Sequence, residues 1–221
     1  MGVDWLQQDH APRIVPFATY MAFLAVGQLA SGVDVRWLYP LQVSLVAITL
    51  AFFWRRYEEL PSLRSMQVRL WTLAVVVGAA VFVLWIRLDG AWLTIGAPAK
   101  GFDPRDDGRI NVLLVCFRIG GAALVVPLME ELFWRSFVMR WIDKPAFLSI
   151  PPVATTIKAL LWSSVVFGFE HNLWFAGIIA GLAYGWLYRS SGNLWVPTIA
   201  HGVTNGLLGA WVLYTGNWQF W

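Results

Sequence analysis

The chain has 221 residues, of which 58% are hydrophobic and only 13% charged, with a mean hydropathy of +0.60 and a formal net charge of +3. A soluble domain is nearer a quarter charged because charge covers its wet surface, so lipid has to be the solvent for most of this one's outside. The small, dispersed positive charge excludes a nucleic-acid patch, and the single cysteine, Cys116, excludes an intramolecular disulfide framework.

The tail 1–12 carries two Asp and no Lys or Arg, so no cleavable signal peptide is expected, and the apolar run 14–30 reads as the first transmembrane helix. Further runs of membrane-spanning length follow at 38–54, 70–86, 112–134, 155–170, 173–188 and 194–214. Short polar connectors lie at 55–69, 87–109 and 140–152, without repeats or low-complexity tracts. The expected fold class is all-α: one polytopic transmembrane helical bundle of about seven spans. Most of the 15 Trp fit an aromatic belt, where the indole N–H stays wet and the ring does not.

Taking connectors by alternate sides, one side holds Arg13, Arg55, Arg56, Arg64, Arg69, Arg135, Arg140, Lys144, Lys158 and Arg189. The other holds Arg36, Arg87, Lys100, Arg105 and Arg109. The positive-inside rule then expects a cytoplasmic N-terminus and a C-terminus on the far side. In the sixth segment Gly177, Gly181 and Gly185 share one helix face and expect a closely packed neighbour.

Ionisable and amide side chains within apolar spans are costly and point to function. Three clusters occur. In Glu130-Glu131-x-x-x-Arg135 the adjacent carboxylates project about 100° apart. Glu131 and Arg135, four apart, form an expected helical ion pair, leaving Glu130 alone on another face as a candidate general base. In Phe167-Gly-Phe-Glu170-His171, Phe167 and His171 share a face, while Glu170 is either a further site residue or an interfacial charge. In His201-x-x-x-Asn205 an imidazole and an amide project side by side from the last segment and need partners there. Together they supply a carboxylate, two imidazoles and an amide from three helices, the inventory of a water-activating hydrolase.

The ordered set Glu-Glu-x-x-x-Arg, Phe-x-x-x-His, His-x-x-x-Asn resembles the motifs of the CAAX-protease and bacteriocin-processing (CPBP) family. The stretches Glu-His-Asn-Leu-Trp and Gly-Asn-Leu-Trp-Val-Pro look like a bacterial branch found with exosortase systems. The resemblance implies an intramembrane endopeptidase in the bacterial inner membrane, acting on a membrane protein or peptide, with an exosortase-system partner. It implies that Glu130 and His171 activate water, that His201 and Asn205 stabilise the oxyanion, that Glu131 and Arg135 form a structural ion pair, and that Phe167 and Glu170 support them. No cofactor is expected. Zinc held by Glu130, His171 and His201 is the alternative, disfavoured because ligation would leave Glu130 unable to act as base. The first three segments hold no motif, so the chain divides into N-terminal helices and loops, 1–110, and a catalytic core, 111–221.

Two rival readings are a catalytically silent, immunity-type partner-binding protein, which expects a degraded motif, and a proton-coupled transporter, which expects paired repeats. Neither feature is present. One geometrical demand remains. With straight spans, His171 ends its helix far from Glu130, so the fourth helix has to run on past Arg135 toward Trp141, with Pro127 a candidate kink.

Overall fold

The computed structural model describes residues 5–29, 34–96 and 101–221; Met1 to Asp4, Ala30 of the first expected segment and Lys100 of a connector lie outside the described residues. Among the described residues there are seven helical rods: α1 (Ala11–Leu29), α2 (Leu38–Phe52), α3 (Val68–Arg87), α4 (Val112–Asp143), α5 (Ile157–Phe169), α6 (Trp174–Ser191) and α7 (Trp195–Thr215). A two-residue hairpin, Arg105–Asp106 paired antiparallel with Arg109–Ile110, is the described β-structure.

Local chemistry sets several ends. The Asn111 side chain accepts from the backbone N–H groups of Leu113 and Leu114, capping α4. Thr156 caps α5 by accepting from Ala159 N–H, and is itself held by Asp143 at the end of α4. Gly192 closes α6 with a left-handed φ of 65°, a conformation that costs a residue with Cβ.

The fourth element runs on past Arg135 and Trp141, as the convergence of Glu130 and His171 demands. The apolar pattern ends at 134, yet the helix continues to Asp143, because the polar residues beyond it find partners inside the bundle. Arg140 donates to the carbonyls of Ile150 and Leu148 at 2.9 and 3.1 Å. Ser136 donates to Glu59, which also takes a buried ion pair from Arg13 at 2.5 Å. Two wide, π-helical turns, Gly121–Val125 and Leu132–Met139, interrupt α4 on either side of Val126–Glu131. They bracket the short α-helical stretch that holds Pro127, Glu130 and Glu131.

The core is shared by early and late helices. Val46 and Leu50 of α2 pack with Met129, Leu132 and Met139 of α4. Ala74 and Val81 of α3 pack with Phe167, Tyr184 and Ala200 of α5, α6 and α7. The glycine face of α6 meets α5 closely: a Cβ at Gly177 or Gly181 would stand 2.9 Å from a backbone atom of Gly168 or Ser164.

One end of the bundle joins Arg189 to the Thr155 carbonyl and Trp195 to the Pro61 carbonyl, each at 2.7 Å. The other end joins Ile95 to Asn172 and Phe102 to Trp218. Among the described residues, Val68–Arg87 and Val112–Asp143 are long and apolar enough to cross a membrane, and Ala11–Gly27, Leu38–Phe52 and Ile157–Phe169 are shorter apolar helices. The outer surface exposes Phe52, Val68, Leu124 and Trp92 by 72% or more each, a load of apolar surface that a water-facing protein avoids.

Candidate active site

Glu130, His171, His201 and Asn205 line a single cavity of about 190 Å³. Glu130 and Glu131 stand on the α-helical stretch between the two π turns, 5% and 0% exposed. The two carboxylates do face different partners. Glu131 Oε1 accepts from His201 Nδ1 at 3.0 Å, while its Oε2 lies 3.1 Å from Arg135 Nε. That second contact is close but misaligned, so it is an ion pair without a good hydrogen bond. Arg135 also lies over the Phe167 ring, 4.4 Å from its centroid, and reaches the Gly181 carbonyl at 3.5 Å.

Among the described residues, Glu130 has no hydrogen-bond partner. Its Oε2 is buried and unpartnered, and the nearest cation-capable atom is His201 Nε2 at 3.9 Å. That gap is too long for a direct hydrogen bond but suited to a bridging water.

Each imidazole is oriented through Nδ1. Because a carboxylate oxygen only accepts, His201 Nδ1 carries a hydrogen and Nε2 faces Glu130. His201 is stacked on Tyr184 at 4.8 Å and 20°, and the Tyr184 hydroxyl donates to Thr204 at 2.7 Å. His171 donates from Nδ1 to the Phe167 carbonyl one turn earlier, at 2.9 Å, which leaves Nε2 to accept in the neutral ring. Trp85 of α3 meets the His171 ring edge-on at 5.4 Å and 85°. Phe167 joins three of these residues: it lies under Arg135, with its ring centre 4.8 Å from that of His171 and 6.3 Å from that of His201.

Asn205 projects from α7 one turn after His201. Its Nδ2 donates to the carbonyl of Ala122 at 2.8 Å, within the first π turn of α4. A π turn loosens the regular backbone ladder, and here the side chain of another helix takes up one of its carbonyls. An amide nitrogen carries two hydrogens, so a second remains after this bond. The site therefore combines an unpartnered carboxylate, two imidazoles with one nitrogen each turned from its anchor, and an amide donor, around a space sized for a few atoms of substrate.

A family model described as "Type II CAAX prenyl endopeptidase Rce1-like" matches residues 111–207, rather less than half of the chain. The matched stretch contains all three motifs and all four cavity residues. Residues 111–207 belong to the CAAX-protease family. The activity that goes with that family is cleavage of peptide bonds by a membrane protein. Neither a curated protein nor a solved structure matches the chain.

Against this CAAX-protease core, the rest of the molecule falls into place. Glu170 lies outside the catalytic cavity: it accepts from Trp134 Nε1 at 3.0 Å and lines a vestibule of about 490 Å³. The vestibule shares Trp85, Arg118 and His171 with the cavity and reaches Asp89, Ile95, Asn172 and Gln219 at one end of the bundle. Zinc needs each ligand about 2.0–2.3 Å from a common point. Among the described residues, no three His, Cys, Asp or Glu side chains are arranged to hold a metal ion.

Several residues of this site escape a motif-based reading. Tyr20, Tyr39 and Trp85 line the cavity from the three helices that carry no motif. On α3, Gly78 allows the approach of α7, since a Cβ there would stand 2.3 Å from the Ala200 carbonyl oxygen; its own carbonyl accepts from Thr204 at 2.8 Å. In sequence, Trp85 is one tryptophan among many and Gly78 one small residue in an apolar run. Arg118 did carry a signal, as a lone cation inside the fourth apolar segment.

Proposed function

We propose that the chain is an intramembrane endopeptidase of the glutamic type, with Glu130 as the base. The observation that carries this reading is the Glu130 carboxylate, buried, free of hydrogen bonds and opening on the same cavity as His171, His201 and Asn205. Glu130 takes a proton from a water that His171 Nε2 also holds, and the water oxygen attacks the scissile carbonyl. His201 Nε2 and the remaining Asn205 N–H donate to the oxyanion as it forms. Because His201 Nδ1–H is already committed to Glu131, donation from Nε2 requires the imidazolium, which stands between the Glu131 and Glu130 carboxylates. The proton on Glu130 then passes to the leaving amine.

Residues 111–221 act in this reading as the catalytic core, and 1–110 supply a supporting wall. Seven spans with a cytoplasmic N-terminus put the vestibule on the side opposite most of the Lys and Arg. The finer likeness to the exosortase-associated branch rests on the sequence stretches around His171 and Leu194 alone.

The test uses purified full-length protein in lipid nanodiscs with fluorogenic membrane peptides. Wild type cleaves, Glu130→Gln is folded and inactive, and cleavage survives prolonged chelation with well under one metal per chain by elemental analysis. Activity lost to chelation and restored by added zinc, in step with bound zinc, overturns the metal-free chemistry. An active Glu130→Gln protein overturns the assignment of the base.

A further inference from the structure

Arg118 stands on α4 twelve residues before Glu130, and Arg118, Ala122, Val126 and Glu130, spaced by four, all line the catalytic cavity. Arg118 also lines the vestibule, so it sits where the two spaces meet. Its guanidinium lies over Tyr39 at 4.4 Å and Phe102 at 5.2 Å from the ring centroids. Its Nε is buried without a hydrogen-bond partner, and among the described residues no carboxylate comes within 4.0 Å of it. The buried arginines differ: Arg13 has Glu59, Arg135 has Glu131, and Arg140 has two backbone carbonyls, whereas Arg118 is half-buried with the Tyr39 side chain as its polar neighbour. Three carboxylates face the same spaces, Glu130 in the cavity and Asp89 and Glu170 in the vestibule, and none of them pairs with Arg118.

A cation inside an apolar helix is costly unless something meets its charge, and aromatic faces meet it only in part. A planar guanidinium presents a fork that fits a carboxylate in two parallel bonds. We propose that Arg118 anchors a carboxylate carried by the peptide substrate and thereby sets which bond reaches Glu130; this rests on the peptidase reading above. Twelve helical residues span roughly 18 Å, and after the reach of the two side chains an extended peptide of about three to five residues bridges the remainder. The carboxylate is supplied by a free C-terminus or by an acidic side chain at that spacing.

The experiment uses the full chain in nanodiscs and one apolar decapeptide in three forms: the free acid, the C-terminal amide, and the amide with a single Asp at the penultimate position. Binding is measured on the Glu130→Gln background and cleavage on the wild-type background, each with Arg118, Arg118→Gln and Arg118→Lys. The free acid binds at least tenfold tighter than the amide, Arg118→Gln brings the acid down to the amide's affinity, and amide binding stays unchanged. Arg118→Lys, which keeps the charge against the rings but loses the fork, gives an intermediate loss and covers the case in which Arg118→Gln does not fold. An Asp-bearing amide that binds like the acid identifies a side-chain carboxylate as the anchor, and one that binds like the plain amide identifies the terminus. Equal binding of all three peptides, no binding of any, or an equal loss for acid and amide in the variants overturns the proposal. Carboxylate-selective binding without cleavage sinks the peptidase reading and leaves Arg118 standing. Equal cleavage of acid and amide does the reverse.

Discussion

Replacing Glu131 by Gln separates the two adjacent carboxylates more cleanly than any other change. The amide still offers Oε1 to His201 Nδ1–H, so the hydrogen bond that orients the imidazole has a surviving acceptor. What disappears is the charge facing Arg135, whose side chain is 2% exposed against 0% for Glu131. Among the described residues no other carboxylate comes within 4.0 Å of Arg135: its Nη1 is unpartnered, and its Nη2 reaches the Gly181 carbonyl at a long 3.5 Å. Removing one member of a buried pair typically costs about 3–5 kcal/mol, and the Phe167 face beneath the guanidinium is present with or without Glu131, so it cancels from the comparison. That loss is a large share of a total stability of about 5–15 kcal/mol. Glu130→Gln loses no hydrogen bond, because Glu130 makes none, and costs less than about 1 kcal/mol. Both variants are compared with wild type by denaturant unfolding in mixed micelles, followed by tryptophan fluorescence, with folding yield as a second measure. Equal stability of the Glu131→Gln and Glu130→Gln proteins, or the reverse order, refutes the account of which carboxylate holds the bundle together.

Three other outcomes are expected. Gly78→Ala drives a methyl group to 2.3 Å from the Ala200 carbonyl, forcing α3 off α7 at a cost of about 1–3 kcal/mol; an unchanged melting temperature counts against the close approach. Asn205→Ala lowers kcat by about 10²–10³-fold with little change in peptide affinity, and a loss confined to affinity removes Asn205 from the oxyanion site. Outside the membrane, the hydrogen bond from Arg105 holds the Asp103 carboxyl below its ordinary value of 3.8, and Asn111 and then Arg36 do the same for Asp106. A depressed folded pKa stabilises above the unfolded value and is lost as pH falls through the folded one. Residues 101–111 therefore keep their amide-exchange protection from pH 7 to 5 and lose it only below the ordinary aspartate range. Loosening between pH 7 and 5 contradicts that assignment.

The helices were legible because lipid-facing surface imposes long apolar runs, and the motif residues because polar groups stand out within them. The extension of α4 was legible only as a geometrical demand, because Glu130 and His171 converge only if the helix runs on past Arg135. Ser136 and Arg140 look like loop residues until Glu59, Leu148 and Ile150 are seen to satisfy them inside the bundle. The pairing of Glu131 with Arg135 follows from spacing within one helix, whereas its bond to His201 joins residues seventy apart and needs the fold. The helix-spacing argument also gave no sign of π turns, which place Glu130 relative to Asn205 through the Ala122 carbonyl.

Those wide turns make α4 sensitive to length in a way that substitutions do not probe. A π turn accommodates one more residue than the α turn it replaces, so deleting a residue from Gly121–Val125 lets the rod close into plain α-helix. Because the wide turn takes up its extra residue within one turn, the rod beyond it keeps its angular phase, and Glu130 and Glu131 keep the faces they present. What the shortened turn disturbs is the Ala122 carbonyl that Asn205 takes up from α7. Deleting a residue there therefore strains the anchor of the amide while leaving the twin carboxylates in phase.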